Sequence, residues 1–156
     1  MPSTSESPIA AVKAQCAALL GQPIALGTVT VTREMIRAYA ARVGDAATLA
    51  TDCAVAPPTF CLTLHAGMTP RIELPPDVFG VYGGHDLIFH GTLRAGETYS
   101  RGVCLSDVYE KSGRSGGLTV VVRHGTIAAA DGTPVVEIVE RQIIRHKPPA
   151  TAEDRS

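Results

Sequence analysis

Residues Val81–Tyr99 read VYGGHDLIFHGTLRAGETY, and they divide the chain into two unlike halves. Gly83 and Gly84 permit unusual dihedrals and the close approach of another backbone. His85-Asp86 follows, then a strand-like run at 87–90, then a closing turn, Arg94-Ala95-Gly96-Glu97. Side chains on a strand alternate between faces, so His85 and His90 fall on opposite faces unless a bulge intervenes.

Downstream, the segments 98–109, 117–130 and 134–145 are rich in Val, Ile and Thr and read as long strands. Asp131-Gly132 lies between two of them and predicts a tight type I′ hairpin. Lys111–Gly117, KSGRSGG, predicts a longer turn. The last two strands carry apolar and charged residues on both faces.

Upstream the period is helical. Ile9, Val12, Cys16, Leu19 and Leu20 share one face of a helix over 9–20, with Gly21 placed to end it. A short strand follows over 24–31. Thr32 is a good N-cap for a helix over 33–43, with Glu34 in its first turn and Gly44 at its end. Met35, Ile36, Tyr39, Ala40 and Val43 form its apolar stripe. Residues 45–56 read as irregular. Pro57-Pro58 opens a second apolar helix over 58–68, carrying Phe60, Leu64 and Met68 on one face. The expected fold class is α+β: a curved antiparallel sheet wrapped around the 58–68 helix, one domain over 8–146, with mobile ends at 1–7 and 147–156. An open sheet with an apolar concave face needs covering, which predicts dimerisation.

Composition narrows the function. Hydrophobic residues make up 45% of the 156-residue chain but aromatics only 4%, so an aliphatic core is expected. The net charge of −1, with scattered basic residues, gives no electrostatic case for nucleic acid or an anionic membrane. The spacing of Cys16, Cys53, Cys61 and Cys104 fits neither a disulfide framework nor a metal cage, so no metal and no cofactor are expected. No signal peptide or membrane span is visible, which predicts a soluble cytoplasmic protein.

The Val81–Tyr99 segment resembles the strand-entry segment of the MaoC-like hot-dog dehydratases and hydratases, in particular the branch like the dehydratase domain of fungal fatty acid synthase. A second match lies in AYAARVGDAATLATD. In that family Gly-Asp-x-Asn-Pro-x-His supplies an Asp/His acid/base pair acting on an enoyl thioester. Gly44 and Asp45 match it. Ala47, Thr48 and Ala50 stand in the Asn, Pro and His places, so the usual histidine is absent. Asp45 is therefore open to two readings, a turn residue after a helix or a base that holds water. The resemblance implies a cleft position for His85, the best acid/base partner in the chain, and substrate contacts from Gly83, Gly84 and His90. His90 is equally readable as an ordinary strand residue.

It also implies that the start of the buried helix, Pro58-Thr59-Phe60, presents backbone N–H groups to the thioester carbonyl. Unpaired N–H groups at a helix start favour developing negative charge. His65 reads as a helix-edge side chain, and His124 and His146 carry no assigned role. The function implied is reversible hydration of an acyl thioester, CoA- or carrier-linked, by a homodimer or a heterodimer with another hot-dog subunit. The missing histidine leaves open a non-catalytic half that binds the acyl chain for a catalytic partner. Thioester hydrolysis and a plain binding module also remain.

Overall fold

The computed structural model describes residues 8–113 and 116–146. The expected mobile ends lie outside these residues. Helix α1 (Pro8–Leu19) is followed by strand β1 (Ile24–Thr30), helix α2 (Arg33–Val43) and a single-turn helix α3 (Ala46–Leu49). A 3₁₀ helix (Pro58–Thr63) precedes four strands: β2 (Val78–Phe89), β3 (Thr98–Gly113), β4 (Gly116–Ala128) and β5 (Pro134–His146). The strands form one five-stranded sheet in the order β1-β3-β4-β5-β2, each neighbouring pair antiparallel. This is the α+β hot-dog architecture that the sequence predicts.

Helix α2 forms where its caps dictate. The Met35 N–H donates to the Thr32 hydroxyl at 3.2 Å, and Gly44 ends the helix in the left-handed conformation at φ 72°. Ile36 and Ala40 are buried, but Val43 is exposed, so the expected stripe stops one turn early.

The helix expected over 58–68 is instead the six-residue 3₁₀ helix, a correction with a local cause. Phe60 N–H donates to Pro57 O and Leu64 N–H to Cys61 O, both at 3.0 Å, the i→i+3 pattern of a tight helix. Arg101 Nη1 then takes the Leu64 carbonyl at 3.2 Å. The Met68 N–H leaves the helical path for a carboxylate on β5. What the sheet wraps is therefore a short turn whose Phe60, Cys61 and Leu64 are buried.

Two further turns differ from expectation. At Asp131-Gly132 only Gly132 has positive φ, 85°, and its N–H donates to Ala129 O at 2.9 Å. A type I′ turn needs positive φ at both central residues, so this is a turn over 129–132 closed by a left-handed glycine. The β3–β4 ladder continues to Gly113↔Gly116, so most of the KSGRSGG turn is strand, and its tip lies outside the described residues.

The inner face of the sheet carries two apolar clusters. One gathers Phe60, Leu64, Tyr99, Ile127, Val136 and Ile138 under α2 and the 3₁₀ helix. The other gathers Val12, Cys16, Leu105, Val121 and Ile144 under α1. Arg123, Glu140 and Gln142, all buried, form a polar layer between them.

Candidate functional site

The polar layer is built by strand alternation. On β5, positions 136, 138, 140, 142 and 144 are all buried, and polar residues occupy two of them, Glu140 and Gln142. On β4 the facing position is Arg123, 0% exposed. Glu140 pairs directly across the ladder with His85 of β2. Directly opposed residues share a face, so the imidazole meets the carboxylate. A register shift between Tyr82 and Gly84 makes Gly83 a bulge residue and sets this alignment. Gly83 also lies hard against β5: a Cβ there would be 3.0 Å from the Arg141 carbonyl oxygen. Gly84 adopts φ 115°, a region that L side chains rarely enter.

Glu140 Oε2 lies 3.2 Å from His85 Nε2 and 3.2 Å from His65 Nε2. An ionised carboxylate only accepts, so both Nε2 atoms carry protons. The Met68 N–H donates to Oε1 at 3.1 Å, and Arg123 Nη1 lies 3.6 Å from the same oxygen. In that neutral tautomer His85 Nδ1 accepts a hydrogen bond from the Tyr82 hydroxyl. His65 reaches Glu140 because Gly125 of β4 has no side chain; a Cβ there would stand 3.0 Å from its Nδ1. Met68 adopts φ 57°, the left-handed region, where its N–H meets the carboxylate. Burial pushes the Glu140 carboxyl up, but the His65 hydrogen bond, the Met68 N–H and the nearby charges outweigh it, and the net shift is downward. Burial lowers Arg123, while Glu140 works against that.

His65, His85 and Glu140 are spaced as a metal-holding triplet could be. The charge balance does not favour a cation. Arg123 already neutralises Glu140, and a divalent ion would add uncompensated charge in the interior.

The other sequence candidates lie elsewhere. Asp45 caps α3: Oδ1 accepts from Thr48 N–H at 3.0 Å and Oδ2 from the Thr48 hydroxyl at 2.6 Å. The Thr48 hydroxyl, then its amide, lowers the Asp45 carboxyl. No hydrogen bond or ion pair joins Asp45 to His85 among the described residues. His90 lies on the opposite face from His85 and meets Glu137 at 2.6 Å, with His124 3.0 Å from the same carboxylate. It thus takes the ordinary strand reading.

Pro58 opens the 3₁₀ helix and lines an apolar pocket of about 380 Å³ with Val55, Pro57, Phe89, Leu93 and Val136. Thr48 lines a neighbouring cleft that shares Val55, Ala56 and Pro57 with that pocket. The Phe60 amide is spent on Pro57 O and its ring is buried, so it cannot offer the expected N–H. The Thr59 N–H finds no backbone acceptor among the described residues, and its hydroxyl accepts from Tyr39 at 2.7 Å.

Sequence reasoning missed Glu140, Arg123 and the burial of His65. The available signal was a pair of polar residues at the inward positions of the β5 alternation.

Comparison with solved structures returns the same fold. The HadBC (3R-hydroxyacyl-ACP dehydratase) complex from Mycobacterium tuberculosis matches with TM-score 0.60 and 22% identity, over 80% of this chain and 96% of that one. The ChsH1-ChsH2 complex from the same organism matches with TM-score 0.61 and 20% identity, over 93% and 94%. The (R)-hydratase from A. caviae matches with TM-score 0.53 and 17% identity, over 94% and 100%. No curated protein matches by sequence. The family model of the FAS1-like dehydratase domain region matches residues 18–138. That span takes in the Gly44-Asp45 turn, the 3₁₀ helix and the His85 strand, and the chain belongs to the FAS1-like dehydratase-region family of MaoC-like hot-dog proteins.

Proposed function

We propose that this chain serves the reversible hydration of an acyl thioester as the acyl-holding half of a hot-dog hydratase or dehydratase, with the acid/base pair supplied by a second subunit. The observation that carries this reading is at the 45–50 turn. Asp45 is committed to Thr48, and Ala50 stands where the family's histidine would stand. Water addition needs a group that takes a proton from water and one that delivers a proton at the α-carbon. The cleft beside Pro57 and Pro58 holds no such pair among its lining residues.

Three features support a partnered role. The apolar pocket offers Val55, Leu93 and Val136 to a hydrocarbon chain, and the Thr59 amide is left for an acceptor oxygen. Edge strand β2 exposes Val81, Tyr82, Ile88 and Phe89, each by at least 42%. An apolar sheet edge invites pairing with another chain. Two of the matched structures, HadBC and ChsH1-ChsH2, are two-component complexes by name. No helix among the described residues is long and apolar enough to cross a membrane.

One observation favours a second reading, a homodimer that is a complete catalyst. Glu140, His85 and Tyr82 form a continuous proton line from the interior to an exposed hydroxyl. A carboxylate that orients an imidazole toward a hydroxyl is the arrangement that general-base sites use.

The test is hydration of crotonyl-CoA and a longer enoyl-CoA by the purified chain, followed by loss of the conjugated thioester absorbance. The partnered reading expects acyl-CoA binding without turnover, and turnover once a subunit with an intact Asp/His motif is added. Turnover by the chain alone refutes it. Loss of that turnover in His85→Ala then establishes the second reading, and release of free thiol would identify hydrolysis instead.

A further inference from the structure

We propose that a second cavity, between the 67–74 segment and strands β2, β4 and β5, binds a small molecule with a carbonyl or carboxylate head and a short apolar body, held through Gln142. The cavity holds about 620 Å³, in the range of small-molecule sites. It shares no lining residue with the apolar pocket beside Pro58.

Gln142 is only 4% exposed, and the direction of its amide is fixed by chemistry. Its Oε1 accepts from Arg123 Nη2 at 3.0 Å. Arginine has donors only, so the oxygen must face it and the NH₂ must face away. No acceptor among the described residues meets that NH₂. Both Gln142 and Gly80 line the cavity. Gly80 leaves room for the amide: a Cβ there would be 2.5 Å from Gln142 Nε2 and 3.2 Å from Leu74 Cδ1. Among the described residues Arg101 Nε, not Gln142 Nε2, is the buried side-chain atom without a partner, so the Gln142 NH₂ opens on the cavity, where an incoming oxygen would replace water at that donor.

The rest of the lining defines the ligand. Arg123 cannot serve as a free cation, since Pro70 O, Gln142 Oε1 and Glu140 already occupy its guanidinium. Arg71 and Glu73 offset each other in charge. Ile72, Leu74 and Met68 supply apolar surface. The recognised feature is therefore an acceptor oxygen, and a cationic head has nothing to meet at Gln142. The oxygen could belong to a free carboxylate or to the neutral carbonyl of an ester, amide or thioester. This site stands independently of the acyl-thioester role proposed above.

The test is titration of the full chain with octanoate, octanamide and octylammonium, read by NMR or calorimetry. Octanamide or octanoate should bind and octylammonium should not. Equal binding of the first two identifies carbonyl recognition. Binding of octanoate alone, weakened in Arg71→Ala, identifies carboxylate recognition. Gln142→Glu keeps an oxygen for Arg123 but replaces the donor, and it should weaken binding at least about tenfold. Gly80→Val should weaken it comparably by filling the space, and Leu74→Trp serves if either variant fails a thermal-melt check of folding. Binding of octylammonium as tight as that of the oxygen-headed probes, no binding of either oxygen-headed probe, or full affinity in the folded variants would overturn the proposal.

Discussion

Replacing Glu140 by Gln changes one atom in a buried part of the molecule. Three groups lean on that carboxylate besides Arg123: His65, His85 and the Met68 amide. Gln keeps one oxygen for the Met68 N–H, and its amide nitrogen can donate to a histidine that changes tautomer. It cannot neutralise Arg123, which is 0% exposed. Removing one partner of a buried pair costs about 3–5 kcal/mol. With part of the hydrogen bonding retained, the loss expected for Glu140→Gln is about 3 kcal/mol. For a chain of 156 residues this lowers Tm by roughly 6–12 °C. Urea unfolding followed by circular dichroism should show the midpoint falling with the slope unchanged. Glu140→Leu alone should be worse, and Glu140→Leu with Arg123→Met should recover much of the loss, because the orphaned cation is gone. The pH dependence has a definite sign. Glu140 sits below its ordinary value in the folded chain, so its contribution is present above about pH 4.3 and is lost as pH falls through the lower, folded-state value. The acid limb should therefore be flatter in Glu140→Gln than in the parent. A loss below about 1 kcal/mol, or an unchanged acid limb, would refute the view that Glu140 organises the interior.

Gly125→Ala would place a methyl 3.0 Å from His65 Nδ1, and displacing that ring from Glu140 should cost about 1–3 kcal/mol in urea unfolding. Tyr99→Phe removes a buried hydroxyl that accepts from the Arg94 N–H at 2.9 Å and donates to Glu97 at 2.6 Å. The orphaned amide should cost about 1–3 kcal/mol, read the same way. Asp45→Ala should accelerate amide exchange across Ala46–Leu49, where Asp45→Asn should not, because asparagine caps a helix about as well.

What the sequence made legible was local. The caps of α2, the closing glycines and the period-2 runs after Thr98 depend on near neighbours, and each appears where those neighbours require it. The 58–68 helix failed because its continuation was decided elsewhere, by Arg101 taking the Leu64 carbonyl and Glu140 taking the Met68 amide. The site was partly legible. Gly83, Gly84 and His85 occupy a bulge and its exit, as the glycine pair suggested. The partner of His85 stands 55 residues further on and no local pattern names it. His65 looked like a helix-edge residue for the same reason.

The histidines show why a motif alone misassigns chemistry here. Glu137 and Glu140 are three residues apart on β5, so a strand places their carboxylates on opposite faces. Each gathers two histidines: Glu140 takes His65 and His85 inside, Glu137 takes His90 and His124 outside. The two sets differ in consequence. The outer set is solvated, with the His90 side chain 46% exposed, so its contacts contribute little. The inner set is enclosed and its single negative charge is matched by Arg123, so the imidazoles are held rather than left free. Four of the five histidines in the chain are thereby engaged by two glutamates, and none of the four lines the apolar pocket beside Pro58. A hydration site at that pocket would lack an acid/base histidine of its own. That shortage is the physical ground for looking to a second subunit, and the His85–Tyr82 line is the one route by which this chain could supply the group itself.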